Sequence, residues 1–283
     1  MLDPEVHILH RSDFYQIRNF KCNCTECSVS QREYHRIFNF CFIRSGYFEY
    51  QLFRSELQVH VGRILVMKPD FEHYRRHINN QPDVCTVLDF TPDFYELLKE
   101  YYKDEAGWFF DNKDLHALIL KCSAEMDYLH HMILKTKSST ADHLLIDEWV
   151  MRLVGRVLCT LGNVQEVKPV PDNLKKLHLI TVEKAKNFIL TNYDKNISLK
   201  QLSDHCCVSL FHFCRLFSTI MKMSPYQYLS EIRLNHARVL LETSSQPIME
   251  IAFQCGYSSA ENFTNAYRQF FKLAPSGYRR ALL

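Results

Sequence analysis

No run of eighteen consecutive apolar residues occurs in this 283-residue chain, so nothing in it reads as a membrane-spanning helix. The N-terminus, MLDPEVHILHRSDF, lacks both a basic start and an apolar core. It does not read as a signal peptide, and a cytoplasmic protein is expected. In that reducing compartment the 11 cysteines are not a disulfide framework; most sit singly in apolar runs, where Cys acts as a small hydrophobe. A large net charge is missing as well, the formal value being +2. That balance hides a division. Residues 174–283 carry 14 Lys or Arg against 7 Asp or Glu, a net +7, and residues 1–173 carry 20 against 25, a net −5. A basic segment beside an acidic one suits a domain that meets a polyanion. No catalytic constellation emerges, so the chain is not read as an enzyme.

Three cysteines do not lie in apolar runs. Cys22, Cys24 and Cys27 fall together in FKCNCTECSVSQREYH, Phe20 to His35. Soft thiolates at this spacing can hold Zn(II) or Cu(I), which makes zinc the candidate cofactor. A closed tetrahedral site needs a fourth ligand, for which His35 or a distant Cys is available. The alternatives are a thiol pair that cross-links on oxidation and an inert Cys-rich turn.

From Ile37 the pattern becomes strand-like. Phe38 to Phe53 predicts two strands around Ser45-Gly46, with Phe48, Tyr50 and Leu52 alternating with polar neighbours. Leu57 to Ile78 predicts another pair, broken at Gly62 and Pro69-Asp70, and Val84 to Phe90 one more. Short antiparallel strands with Gly and Pro turns imply a small barrel or sandwich, whose hollow could take a small ligand. His60, His73 and His77 lack the tight His-x-His pair expected of a barrel metal site and are read as ordinary histidines. Residues 93–111 are aromatic and without clear period. Two helices are then expected. The first carries the stripe Leu115, Leu118, Ile119, Cys122, Met126, Leu129 and Ile133, and the second carries Leu145, Trp149, Leu153 and Val157. Such stripes either cover the sheet or meet their copies in a homodimer. Gly162, Pro169 and Pro171 mark a linker. The organisation expected is a first domain over 1–162, a linker over 163–173 and a second domain over 174–283.

The second domain contains one device twice. SLKQLSDHCCVSLFHFCRLFS, Ser198 to Ser218, and IMEIAFQCGYSSAENFTNAYRQF, Ile248 to Phe270, each predict a short helix, a turn, a polar cap and a second helix. Ser198 with Gln201, and Ser224 with Gln227, have capping-box spacing; Pro225 takes a first helical position. Ser209 and Ser258 are the expected caps of the two second helices, with Glu261 three residues after Ser258. Phe213, Leu216, Phe217, Phe263, Tyr267 and Phe270 are expected to be buried. Phe211, Cys214 and Arg215 are left facing outward in the first unit, and Ser259, Glu261, Asn262 and Asn265 in the second. A helix of this kind can enter the major groove, where Arg pairs with guanine and Asn with adenine. Arg233 and Arg238 on the joining helix are candidates for packing or phosphate contact.

On these motifs, with MSPYQYLSEIRLNHARVLL and APSGYRR, residues 174–283 resemble the DNA-binding domain of the AraC/XylS transcription regulators. The resemblance implies an all-α double helix-turn-helix domain in a dimeric activator or repressor that binds promoter DNA. It implies base reading by Phe211, Cys214 and Arg215 and by Ala260, Glu261, Thr264 and Asn265, with RNA polymerase as partner if the protein activates. Residues 1–162 resemble the cupin-like sensor domain of such regulators, implying an α+β protein with an antiparallel β-barrel, dimerisation helices and a small-molecule effector. Several positions depart from the pattern. Cys207 stands where Gly is usual in the first turn, Ser203 where Ala is usual, and Lys222 and Lys272 where Gly follows each reading helix. Asn265 stands where Arg is frequent, which implies weaker base reading by the second unit. Two rival readings are a regulator whose cysteines accept alkyl groups in DNA repair, and an interaction protein with a degenerate DNA reader.

Overall fold

The structure, a computed structural model, describes residues 4–23, 29–52, 55–77, 82–136, 142–162 and 178–282. The chain divides into two compact units, Met1–Glu183 and Lys184–Leu283.

The first unit begins with β1 (Glu5–Arg11) and β2 (Tyr15–Lys21), followed by β3 (Glu33–His35), β4 (Asn39–Ser45), β5 (Tyr47–Gln51), β6 (Glu56–His60), β7 (Arg63–Met67), β8 (Phe71–His77) and β9 (Val84–Phe90). Helices α1 (Pro92–Tyr101) and α2 (Lys103–Asp111) precede β10 (Ala117–Lys121), and α3 (Ala124–Lys135) and α4 (His143–Leu161) close the unit. Strand pairing is antiparallel and forms two sheets, a six-stranded one in the order β1-β2-β9-β4-β7-β10 and a four-stranded one in the order β3-β8-β5-β6. The expected cupin-like barrel is therefore corrected. Among the described residues β1 and β10 are edges of the large sheet and β3 and β6 edges of the small one, so neither sheet closes. Alternating short strands serve an open pair of sheets as well as a barrel; closure depends on which edges pair, and the alternation does not encode that. Cys41, Ile43, Phe48, Tyr50, Leu65, Met67, Cys85 and Val87 form the core between the sheets.

The helices also differ from expectation. The stripe from Leu115 to Ile133 is not one helix. Ala117–Lys121 pairs with β7 in the register Ala117↔Met67 to Lys121↔Arg63, and the helix starts only after Ser123, whose side chain accepts from the Met126 amide. The run Leu118-Ile119-Leu120 satisfies a strand, and its three- and four-residue offsets are coincidental. The aromatic stretch after β9 is two helices. Thr91 caps the first, and Tyr95 stacks on Phe38 with ring centres 4.5 Å apart. On α4, Trp149, Leu153 and Val157 are buried within the chain, whereas Leu145, at the start of the stripe, is 36% exposed.

Helix α5 (His178–Asn192) runs across the boundary at Glu183 and leads, in the second unit, into α6 (Leu199–His205) and α7 (Leu210–Met221). The long joining helix α8 (Pro225–Thr243) is followed by α9 (Ile248–Gln254), α10 (Ala260–Phe271) and α11 (Pro275–Arg280). Both capping boxes form. The Gln201 amide donates to Ser198 Oγ at 3.1 Å and the Ser198 amide to Gln201 Oε1 at 2.8 Å. The Gln227 and Ser224 amides do the same at 3.1 and 2.9 Å. Each box satisfies two amides that a helix start leaves unpaired. A core of Leu234, Ala237, Leu241, Ile251, Ala252, Cys255, Phe263 and Tyr267 joins α8, α9 and α10. No helix of the described residues is long and apolar enough to cross a membrane.

Candidate nucleic-acid interface

Helices α7 and α10 are each built by a cap at one end and a left-handed residue at the other. Ser209 Oγ accepts from the His212 amide at 3.4 Å and starts α7; Lys222, at φ 59°, ends it. In the second unit Ser259, not Ser258, is the cap, accepting from the Asn262 amide at 3.1 Å, and Lys272 at φ 61° ends α10. The turns before them also use positive φ, at Cys207 (56°) and Gly256 (78°). The Gly-favouring conformation expected at position 207 is thus present with a side chain in place.

These ends fix the rotation of each helix. On α7, Phe213, Leu216, Phe217, Ile220 and Met221 are buried, whereas Phe211 is 90% exposed, Arg215 is exposed and Cys214 half-buried. On α10, Phe263 and Tyr267 are buried, Glu261 and Asn265 exposed, and Ala260 and Thr264 half-buried. Phe270, expected inside, is 41% exposed. Phe271, four residues after Tyr267, takes the inner place and packs on its ring at 4.5 Å. Of the other polar candidates, Asn262 is turned back on Ser258, its side-chain amide 3.4 Å from Oγ.

The two arginines of the joining helix are packing residues. Arg233 donates to the carbonyls of Tyr193 and Lys195, both at 2.7 Å, and lies over the Tyr257 ring. Arg238 lies over the Phe271 ring. Arg233 also explains Gly256. A Cβ there would stand 2.8 Å from the Asp194 carbonyl oxygen and 2.9 Å from both the Tyr193 carbonyl oxygen and the Arg233 guanidinium.

The interior of the first unit holds a cavity of about 360 Å³ between the two sheets. Arg18, Asn39, Cys85 and Asp89 reach it from the large sheet, and Glu33, His35, Tyr50, His73 and Arg75 from the small one. Arg18 Nη2 donates to Asp89 Oδ1 at 2.9 Å, and Arg75 Nη2 to both oxygens of Glu33 at 3.0 Å. Burial would raise Glu33, but the His73 hydrogen bond and the Arg75 guanidinium outweigh it and hold the carboxyl down at about 2. Burial, reinforced by His73, pushes His35 down to about 4 and leaves it neutral near pH 7. Among the described residues, His35 Nε2, His73 Nδ1 and Asn39 Oδ1 are buried without a hydrogen-bond partner. Unsatisfied buried polar atoms around a cavity are the lining a polar guest would complete.

Of the cysteine trio, Cys22 is described and buried; Cys24 and Cys27 lie outside the described residues. Cys22 Sγ is 3.9 Å from His77 Nδ1, and His77 Nε2 is 2.5 Å from Asp83 Oδ1. One ligand atom from each of Cys22, His77 and Asp83 lies within 4.8 Å of the other two, an arrangement capable of holding a metal ion such as zinc. His77, read from spacing as an ordinary histidine, belongs to this cluster. Its partners lie 55 residues before it and six residues after it, and no local motif links the three. His35, the fourth ligand considered for the trio, lines the cavity instead.

The C-terminal unit thus contains two pairs of a short helix, a turn and a second helix, α6–α7 and α9–α10. Residues 202–281 match the family described as a helix-turn-helix domain. Over 114 residues the chain is 32% identical to the HTH-type transcriptional regulator ArgR of Pseudomonas aeruginosa, covering 40% of this chain and 34% of that one. Over 87 residues it is 38% identical to the HTH-type transcriptional regulator AlkR of Acinetobacter baylyi, covering 31% and 28%. A solved Chromobacterium violaceum transcriptional regulator, described as of the AraC type, is 31% identical over 36% of this chain and 90% of its own, with a TM-score of 0.34. The chain spans about a third of the length of the curated relatives it matches. The relatives that the helix-turn-helix residues match are named as regulators of transcription, not as enzymes.

Proposed function

We propose that the chain is a sequence-specific, double-stranded-DNA-binding regulator of transcription. One observation carries this reading. Two similarly capped helices each bury one aromatic face and leave a second face to solvent, with Phe211 and Arg215 on one and Glu261 and Asn265 on the other. Arg offers two donors to guanine, Phe an apolar contact for the thymine methyl, Asn a bidentate match to adenine and Glu an acceptor for cytosine. Cys214, Ala260 and Thr264 are half-buried beside them and complete the proposed reading surface. The net charge of +7 over residues 174–283 supports phosphate attraction.

The first unit, in this reading, receives the signal. The cavity supports a small polar molecule as one signal, and the Cys22, His77 and Asp83 cluster supports a metal or thiol-reactive one. Promoter DNA is the proposed target, a homodimer the working form, and RNA polymerase the further partner where the regulator activates. The test is binding of the full-length chain to sequences selected from a random DNA pool. Arg215→Ala should weaken binding to the selected site by about 1–3 kcal/mol and relax selectivity at one base pair. An equal loss on selected and random DNA would make Arg215 a phosphate contact, and failure to select any sequence would sink the proposal.

A further inference from the structure

We propose that Cys22, His77 and Asp83 form a zinc site that staples the two sheets of the first unit together beside the cavity. Cys22 follows β2 and Asp83 precedes β9, neighbours in the six-stranded sheet, while His77 ends β8 in the four-stranded one. All three side chains are buried. An ion held by them would join the sheets where no strand pairing does.

Four observations converge. First, the donor set of one thiolate, one imidazole and one carboxylate suits zinc, and its two negative charges match a divalent cation in a place without water to offset an excess. Second, the ligand atoms are already gathered. One from each residue lies within 4.8 Å of the other two, against roughly 3.3–3.8 Å between the ligand atoms of tetrahedral zinc. Third, His77 Nε2 and Asp83 Oδ1 face each other at 2.5 Å, and neither has a hydrogen-bond partner among the described residues. A cation bound by both, as they spread to about 3.3 Å, removes a penalty that buried polar atoms otherwise carry. Fourth, the backbone is shaped around Asp83. The Cys22 amide donates to the Asp83 carbonyl at 2.9 Å, and Gly46, at φ 92°, allows an approach in which a Cβ would lie 2.6 Å from Asp83 Cα.

Binding releases one proton, Cys22-SH giving Cys22-S–Zn and H⁺, with no change of oxidation state. Three protein ligands leave a fourth position open to a solvent molecule or an outside ligand. Because Asp83 also lines the cavity, the ion and a cavity guest share one residue. This inference does not depend on DNA reading.

The test uses the full-length chain, stripped of metal and titrated with zinc against a chromophoric chelator, then with Co(II). One zinc per chain is expected, along with a near-ultraviolet thiolate-to-cobalt band. Cys22→Ser and His77→Gln should each weaken zinc at least tenfold, and Cys22→Ser should abolish the band. Zinc held equally well by His77→Gln, as thiols alone would hold it, overturns the site. Should a variant fail to fold by circular dichroism, the wild-type spectrum decides, and absence of the thiolate band overturns the proposal. Selection of a DNA site is measured in parallel. Loss of zinc binding with intact site selection, or the reverse, shows which of the two proposals has failed.

Discussion

At Cys207 the first helix-turn-helix takes a φ of 56° with a β-carbon in place. The usual glycine is missing, yet the turn neither shifts nor lengthens. The Val208 amide donates to the Ser203 carbonyl at 3.1 Å and the Cys207 amide to the Asp204 carbonyl at 3.0 Å, so α6 ends in a hydrogen-bonded turn that holds the left-handed residue. An L-residue there is disfavoured by about 1 kcal/mol or slightly more. Cys207→Gly should therefore raise the stability of the chain to urea by somewhat less than about 1 kcal/mol, because glycine gains freedom in the unfolded state. The thiol is exposed, so little packing is lost. A fall in stability would mean that the side chain itself supports the turn. Lys222 and Lys272 show the same conformation at the ends of the two reading helices. At all three positions the backbone geometry expected of glycine survives its replacement.

Among the elements, α8 and α9 are fixed to the end of α5 by Gly256 and Arg233. Gly256→Ala would place a methyl group against two carbonyl oxygens and a guanidinium at under 3 Å and force an unfavourable φ. A loss of about 2–4 kcal/mol in denaturant unfolding is expected, and a loss under about 1 kcal/mol would show that the contact relaxes freely. This corner is legible in the sequence as a glycine turn, as are both capping boxes, because local hydrogen bonding and φ preference act within a few residues. The strands around Ser45-Gly46 and from Val84 to Phe90 are legible for the same reason. Three features are not. Strands β1 and β2 carry mixed residues because β1 is largely exposed. β10 resembles the start of a helix because its partner, β7, lies some fifty residues away. The sheets do not close because closure is a property of edges. Likewise the cysteine motif announces Cys22 but not His77 or Asp83, whose meeting depends on the placement of two sheets.

Across the whole molecule, acid should act first on the sheet unit. His35 is held down to about 4 by burial and by His73, against about 6.5 in the unfolded chain. Between those values the unfolded state binds more protons, so stability increases with pH through that window. His35 neutrality therefore contributes fully above pH 6.5, and the contribution falls away as pH drops from 6.5 toward 4. Glu33 adds a second, more acidic step: held down to about 2, it contributes above its ordinary value and is lost as pH falls from about 4.5 toward 2. Thermal melts across pH 4 to 7 should show a falling midpoint on acidification, with the slope reduced in His35→Gln. An unchanged slope would assign the acid sensitivity to other groups.

The ring of Phe211 stands almost wholly in water at the outer face of α7. Seating it against a base pair would dehydrate carbon rather than displace counterions. In the proposed reading, part of the grip on DNA would then persist in concentrated salt and grow with warming near room temperature, while charge draws the chain toward the duplex.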